Sequence, residues 1–388
     1  MNILSNKIQN SIIILCSLFC AIIFFNLFGF LRFNEADTPN FINAAKILFG
    51  ATDLIDCQSR ITKPFVLLSP GFLYTYFGIS ITVTMLIQNL IFFVGTGFFT
   101  AKILQYWGFD FTLQLLGVFI IYTVQPLAVL SFMLINDIAG YFFTTFLLYY
   151  YLQTKVQTWK QCVVFSLIAI AGVLSKESSA LALIVVLLYM LMYHSKQWIR
   201  FVVMYAAIII AYMGVQWYIQ HTFGYVSSLE NLTQKYEEPE GYIFKIQQLI
   251  HSFDVYWIYI IVGVLYIILR KSPYSFFAWA TVVTIPFLFL WPSVQDRTIA
   301  VAAPIFVWVI ISFLQQSTWL QKGLLIVGGI SNIVCTYIIY AYKTSNVLPV
   351  YYTIFFVLFA LLYKEKNIKK RLLVLTNNLL HWGEGENI

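Results

Sequence analysis

Long apolar runs without charge, separated by short polar segments, dominate this sequence of 388 residues. The first run extends over residues 8–31, and a helix needs about 20 apolar residues to cross the hydrocarbon core of a bilayer. Hydrophobic residues make up 61% of the chain and charged residues 10%, whereas soluble domains have roughly 45–50% and about 25%. The sequence therefore predicts a polytopic membrane protein. It excludes a soluble enzyme, a nucleic-acid-binding module and a disordered protein.

The apolar runs predict an all-α polytopic fold with about 11 to 13 transmembrane helices and no large soluble domain. The expected helices are residues 8–31, 80–104, 111–130, 138–152, 162–174, 180–193, 200–220, 253–269, 275–291, 299–314, 324–342 and 348–363. Residues 64–79 are also apolar but contain Pro64, Pro70 and Gly71, which favour a re-entrant or interfacial segment. We expect one integral-membrane domain, residues 1–363, followed by a basic amphipathic tail, residues 364–388.

The charges follow the positive-inside rule if the N-terminus is cytoplasmic. In that orientation 14 of the 23 basic residues lie on the inner face and 12 of the 16 acidic residues lie on the outer face. Both termini are then cytoplasmic, in a multi-pass protein that we expect in the inner membrane of a bacterium, with the tail against anionic lipids. Because acidic residues contribute little to topology, their outer clustering needs another cause, and a functional site is one.

Two outer segments are long enough to cover such a site. The first, residues 32–79, begins with apolar residues at helical spacing, which predict amphipathic helices on the membrane surface; they are Phe41, Ala44, Ala45, Leu48 and Phe49. The second, residues 221–252, is the most polar part of the chain. The sequence leaves open whether it is a lid, a platform for an acceptor or a connector.

Acidic residues stand at two outer helix ends. Glu35 and Asp37 follow the first helix, where a carboxylate, ionised at neutral pH, can take a proton from a hydroxyl or an amine. The alternative is that they only end a helix in water. Asn136 and Asp137 lie between the third and fourth helices, where Asp137 can project into the same outer space. Asp137 can equally be a helix N-cap, a common use of aspartate.

Basic residues supply the complementary charge. Lys176 and Glu177 separate two apolar runs with almost no loop around them, and charges at membrane depth are usually functional or paired. The alternative is a mutual pair that closes a tight turn. Arg297 suits bidentate recognition of a phosphate, unless it pairs with its neighbour Asp296 or extends to headgroups. Arg60 and Lys63, just before Pro64, can also hold an anionic headgroup.

The order of these motifs resembles the GT-C superfamily of integral-membrane glycosyltransferases, which includes protein O-mannosyltransferases and lipid A aminoarabinose transferases. The resemblance covers about residues 8–193, and beyond them it depends on topology and on Arg297. It is carried by Asp37, Phe41 and Ala44, by Lys63–Pro64, by Asp137 with residues 139–143, and by Lys176–Glu177 with residues 178–181. The chain departs from the family in having Phe41 in place of tyrosine. Its acids are also spaced as Glu35-Ala-Asp37 rather than adjacent, which leaves open which of them is the base.

The resemblance implies transfer of a sugar from a polyprenyl-phosphate donor to a lipid, glycan or protein acceptor at the outer membrane face. Asp37, or else Glu35, would be the general base and Asp137 a second acidic site residue. Lys176, Arg297, Arg60 and Lys63 would hold the donor phosphate, with Glu177 and Asn136 in supporting positions. No cofactor is predicted, since no cluster of metal ligands is seen, although a divalent metal stays possible. The five cysteines have no metal-ligand spacing, and only Cys57 falls in a loop.

Two other functions are compatible with many helices and outer charges. A polysaccharide polymerase of the Wzy or EpsG type should have arginine-rich outer loops, whereas the only outer arginines expected here are Arg32, Arg60 and Arg297. A transporter of lipid-linked sugars should have charges in the middle of helices and broken helices in matching halves. The charges of this chain are expected at helix ends instead.

Overall fold

The computed structural model describes residues 5–29, 37–51, 57, 60–194, 198–225, 242–269, 274–290 and 299–342. Every regular element in these residues is helical, as the apolar runs predict. The chain divides into two units, Met1–Gln316 and Ser317–Ile388. The predicted tail, residues 364–388, and the predicted helix 348–363 lie outside the described residues.

The first unit contains fourteen described α-helices. They are α1 (Asn6–Phe28), α2 (Asp37–Leu48), α3 (Pro64–Phe77), α4 (Ile81–Tyr106), α5 (Phe111–Thr123), α6 (Gln125–Leu130), α7 (Asp137–Thr154), α8 (Trp159–Ser175), α9 (Leu181–Tyr193), α10 (Trp198–Phe223), α11 (Tyr242–Phe253), α12 (Tyr256–Leu269), α13 (Ser275–Leu290) and α14 (Ala303–Leu314). Short 3-10 turns are formed by Arg60–Thr62, Glu177–Ala180 and Ala300–Ala302. In the second unit, α15 (Trp319–Tyr342) is described.

The core of the first unit is built around α4, α7 and α14. Helix α4 packs against α1, α5 and α7, and α7 packs in turn against α8 and α9. Every residue of α14 is buried, among them Trp308, since this helix lies against α5, α12 and α13. Its sequence is apolar on all sides, which is what a fully enclosed helix requires.

The outer surface of several helices is apolar, as expected for contact with lipid. Leu15 and Phe19 on α1 are each 64% exposed, and Ile210 on α10 is 71% exposed. By length and composition, α1, α4, α10 and Trp319–Ile339 of α15 could cross a membrane, and further apolar helices are shorter. These features support an all-α membrane protein. The number of crossings and the orientation of the termini stay predictions.

One predicted helix is wrong. Residues 111–130 form two helices, because the chain leaves the helical conformation at Val124, whose ψ is 123°. Pro126 follows two residues later, has no N–H to donate to the carbonyl oxygen of Tyr122 four residues before it, and its ring would clash there in a continuous helix. The break places α6 beside the segment that leads to Asn136 and Asp137.

Within residues 37–77, helices α2 and α3 pack against each other. Helix α2 buries Phe41, Ala44 and Ala45 of the predicted apolar face, whereas Leu48 is partly exposed and Phe49 follows the helix. That face packs on α3, where a Cβ added at Gly71 would lie 2.5 Å from the carbonyl oxygen of Ala45. Residues 64–77 are thus a helix, and their predicted re-entrant or interfacial placement stays a prediction.

We expect Gly71→Ala to lower the melting temperature of the purified protein, because the methyl group would meet a backbone oxygen that cannot rotate away. Overpacking of this kind costs about 1–3 kcal/mol. Gly214→Ala on α10 is the matched control, since no atom lies within 4 Å of the added Cβ. Equal melting temperatures for the two variants would contradict the close contact of α2 with α3.

Candidate functional site

Six charged residues that the sequence singles out form a row of three ion pairs, here called the charge row. Arg60 Nη2 lies 2.5 Å from Asp37 Oδ1, and Lys176 Nζ lies 2.8 Å from Asp137 Oδ1. Lys63 Nζ contacts Glu177 Oε1. The pairs are linked along the chain, since Arg60 begins a 3-10 turn that Lys63 follows, and Lys176 precedes Glu177 directly. The members of the row are Asp37, Arg60, Lys63, Glu177, Lys176 and Asp137.

The turn Arg60–Thr62 is fixed from two sides. The Arg60 guanidinium lies over the ring of Phe41, 5.7 Å from its centroid, in addition to its bond with Asp37. Gln216 on α10 donates from Nε2 to the carbonyl oxygen of Thr62 at 3.0 Å. Sequence reasoning did not identify Gln216, although a glutamine within a long, mostly apolar run is a signal that could have done so.

Asp137 is the first residue of α7, and Asn136 occupies the N-cap position. The interpretation of Asp137 as the cap is therefore wrong by one residue. Asn136 donates from Nδ2 to the carbonyl oxygen of Ser175 at 2.5 Å, which ties the start of α7 to the end of α8. This contact supports the neighbouring pair of Asp137 with Lys176. A carboxylate in the first turn also interacts favourably with the helix dipole.

The stem of Lys176 lies directly against α7. A Cβ added at Gly140 would lie 3.0 Å from Lys176 Cγ and 3.4 Å from Ser178 Oγ. Gly140 is one turn after Asp137, so the absence of a side chain there leaves room for the lysine to reach the carboxylate. Sequence reasoning used Gly140 only as part of a resemblance and assigned it no such role.

Burial differs along the charge row. The Asp137 side chain is 1% exposed and its partner Lys176 is 18% exposed, whereas Arg60 and Glu177 are 26% and 23% exposed. Three positive and three negative charges also balance, so the row as a whole is neutral. Its exposed end can meet a ligand, and its buried end is held by the contact between α7 and α8.

The residue types define the chemistry that this end of the protein can perform. The carboxylates can accept protons or hydrogen bonds, and the ammonium and guanidinium groups can bind an anion. No group of three or more metal-ligating side chains occurs within the described ranges. Glu35 and Arg297, which were predicted for the same site, lie outside those ranges.

A cation outside the charge row, Lys155, is partly buried at the opposite end of α7. Lys155 follows this helix and donates from Nζ to the hydroxyl of Tyr189 at 3.0 Å. Its ammonium also lies 4.6 Å from the ring centroid of Tyr106 and 4.4 Å from that of Tyr189. Burial lowers the pKa of Lys155 from 10.5 to about 8. The 18 residues of α7 separate Asp137 from Lys155 by about 27 Å, close to the thickness of a hydrocarbon core.

The lowered pKa of Lys155 makes stability depend on pH in a defined direction. Between pH 8 and 10.5 the unfolded chain keeps the proton that the folded protein releases, so the free energy of unfolding rises with pH in this window. We expect Lys155→Met to remove that contribution, and Lys160→Met, at an exposed lysine, to retain it. Urea unfolding of the wild type and both variants in detergent at several pH values measures how the free energy of unfolding changes with pH. The same pH dependence of unfolding for all three proteins would contradict the burial of the Lys155 amine.

We expect Lys176→Met to destabilise the protein more than Lys63→Met. Loss of Lys176 removes a counter-charge 2.8 Å from the Asp137 carboxylate, which is 1% exposed, and loss of one partner of a buried pair costs about 3–5 kcal/mol. Glu177 is 23% exposed and can be hydrated after loss of Lys63. The double variant Lys176→Met with Asp137→Asn should recover part of the free energy of unfolding. A double variant no more stable than Lys176→Met would contradict the pairing.

Comparison with protein-family models, with curated proteins and with solved structures finds no match to this chain. Its function is therefore inferred from its own residues. Those residues are a balanced row of charges, drawn from α2, the Arg60–Thr62 turn, α7 and the α8–α9 junction, at one end of an apolar helical bundle.

Proposed function

We propose that this protein is a glycosyltransferase that moves a sugar from a polyprenyl-phosphate donor to a lipid, glycan or protein acceptor at the outer membrane face. The observation that carries the proposal is the charge row. Residues far apart in sequence, Asp37 and Asp137 with Arg60 and Lys176, meet at one end of a bundle whose flanks are apolar. A lipid-linked sugar phosphate has the same division into an apolar tail and a charged head.

In the proposed reaction an acceptor hydroxyl attacks the anomeric carbon of the donor, and the bond from that carbon to the phosphate oxygen breaks. Asp37 takes the proton of the hydroxyl, and the polyprenyl phosphate leaves with both electrons of the broken bond. The phosphodiester of the donor has one negative charge, and the leaving phosphate gains a second. Cations beside it therefore stabilise the transition state more than the bound donor, which is the condition for catalysis.

Each residue of the row has a position suited to its proposed part. Arg60 bonds to the Asp37 carboxylate and so orients the base towards the acceptor. Lys63 and Lys176 are the cations nearest to the middle of the row. Each would bind the donor phosphate while it also contacts its carboxylate partner. Asp137 and Asn136 hold Lys176 in place from α7. Glu35 stays the alternative base and Arg297 a further phosphate ligand.

The distribution of charge argues against a transporter. Within the described ranges, every aspartate, glutamate, lysine and arginine lies between helices or within about one turn of a helix end. A path through the membrane for a charged sugar phosphate would need such residues in the middle of helices. A reaction at the membrane surface needs them at the ends.

We expect Asp37→Asn to reduce sugar transfer by a factor of about 100 or more, as for loss of a general base. The experiment uses the full chain in lipid nanodiscs with polyprenyl-phosphate-linked sugars and follows the release of polyprenyl phosphate. Asp110→Asn is the matched control, because Asp110 caps α5 and asparagine caps equally well. Full activity of folded Asp37→Asn would exclude Asp37 as the base, and Glu35→Gln would then test the alternative.

A further inference from the structure

The amine of Lys155 lies at the opposite end of α7 from the charge row, and no carboxylate in the described part of the chain forms an ion pair with it. An ammonium has three N–H donors. One of them is taken by the hydroxyl of Tyr189, and the ring centroid of Tyr106 lies 4.6 Å from the ammonium. Lys155 is partly exposed, so a ligand can reach its positive charge from the surface.

The backbone adopts an unfavourable conformation where it presents this amine. Lys155 and Val156 both have a φ of 51°, in the left-handed region that residues with a Cβ avoid, branched ones most of all. The turn is held by its surroundings, because Val156 is fully buried and the Arg200 guanidinium donates to the carbonyl oxygen of Gln157. Such conformations persist only where the surrounding structure fixes them, and they are common at ligand-binding sites.

Two further polar groups around Tyr189 have no hydrogen-bond partner among the described residues. They are the indole Nε1 of Trp107 and the hydroxyl of Tyr151, and both atoms are buried. The rings of these two residues contact the ring of Tyr189, at centroid distances of 6.4 Å and 5.5 Å. An unpaired buried donor is costly, and an ammonium or an indole can only donate. The cluster therefore has a surplus of donors, which an anion with several oxygen acceptors would complement.

The charges at this end are unbalanced, unlike those of the charge row. Besides Lys155, three basic residues belong to the adjoining helix ends: Lys102, Lys160 and Arg200. The acidic residue that the structure describes between α4 and α5, Asp110, is occupied as the cap of α5, where it accepts the N–H of Leu113. The excess of positive charge attracts anionic lipid headgroups.

Exposed aromatic side chains indicate that this cluster lies at a membrane surface. They stand at the ends of the surrounding helices, as in the belts that mark the edge of a bilayer; they are Tyr106, Trp159, Tyr193 and Trp198. Leu187 and Leu191 on α9 are 38% and 61% exposed and form an apolar strip one turn long that ends near Tyr193. A ligand suited to this surface combines an anionic group for Lys155 with apolar chains for α9.

We propose that Lys155, together with Tyr106 and Tyr189, binds the phosphate of an anionic phospholipid at the membrane face opposite to the charge row. The lipid supplies the counter-charge that Lys155 lacks among the described residues, and its acyl chains lie along Leu187 and Leu191. This site takes no part in the proposed sugar transfer, so the inference does not depend on the proposed function.

Melting temperatures of the full chain in non-ionic detergent test the assignment with three probes. Dioleoylphosphatidylglycerol has the phosphate and the chains, dioleoylglycerol has the chains alone, and glycerol 3-phosphate has the phosphate alone. We expect the phospholipid to raise the melting temperature of the wild type more than either other probe. Lys155→Gln should need about 10-fold more phospholipid for half of this rise, because a charge-assisted contact is lost. Lys155→Arg should stay within about threefold of the wild type.

Lys160→Gln is the matched control, because it makes the same substitution at an exposed lysine in the first turn of α8, and we expect it to bind the phospholipid as the wild type does. Equal phospholipid binding by Lys155→Gln and Lys160→Gln would overturn the assignment, even if Lys155→Gln melts at a lower temperature without lipid. An equal effect of dioleoylglycerol would show that the phosphate is not recognised. An equal effect of glycerol 3-phosphate would show that the ligand is a soluble phosphate and not a lipid.

Discussion

The need to pair charges next to a membrane governs the arrangement of this protein. An ionised side chain at the edge of a low-dielectric region is costly unless a counter-charge lies beside it. The Asp137 carboxylate is almost completely buried and is held 2.8 Å from Lys176. That contact requires the start of α7 to lie beside the end of α8. The Asn136 amide bonds to α8, and Gly140 leaves room for the Lys176 side chain, so both stabilise this contact. Of the other two pairs, Lys63 with Glu177 joins the turn before α3 to this junction, and Arg60 with Asp37 joins the same turn to α2.

The charge row also bears on the proposed function. Its charges cancel among themselves, so the described part of the protein holds three acidic and three basic side chains close together. A ligand with a phosphate would exchange partners with the carboxylates rather than enter an empty charged cavity. In the proposed reaction the phosphate gains negative charge when its bond to the sugar breaks. Its contacts with the cations of the row are therefore strongest after that bond has broken, which favours the reaction.

Most of the helices follow from apolar periodicity and length, since an apolar run of 12 or more residues has few alternatives to a helix in lipid. Two parts of the fold do not follow from apolar length alone. Val124 leaves the helix because Pro126 cannot donate to the carbonyl of Tyr122, four residues before it, and its ring would clash there in a continuous helix. Most of helix α11 lay in a segment interpreted as a polar loop, because its lysine, glutamines and serine lower the hydropathy of these residues.

The sequence by itself determined the membrane class, the helical architecture and the residue types of the site, because composition and charge distribution are properties of the chain alone. Only the tertiary structure determined which charged residues form ion pairs with each other. Lys176 and Glu177 are adjacent, yet the structure joins the first to Asp137 and the second to Lys63. Spacing along a chain cannot specify which helix ends meet. That is set by the packing of α2 on α3 and of α7 on α8, through close approaches such as the one at Gly71.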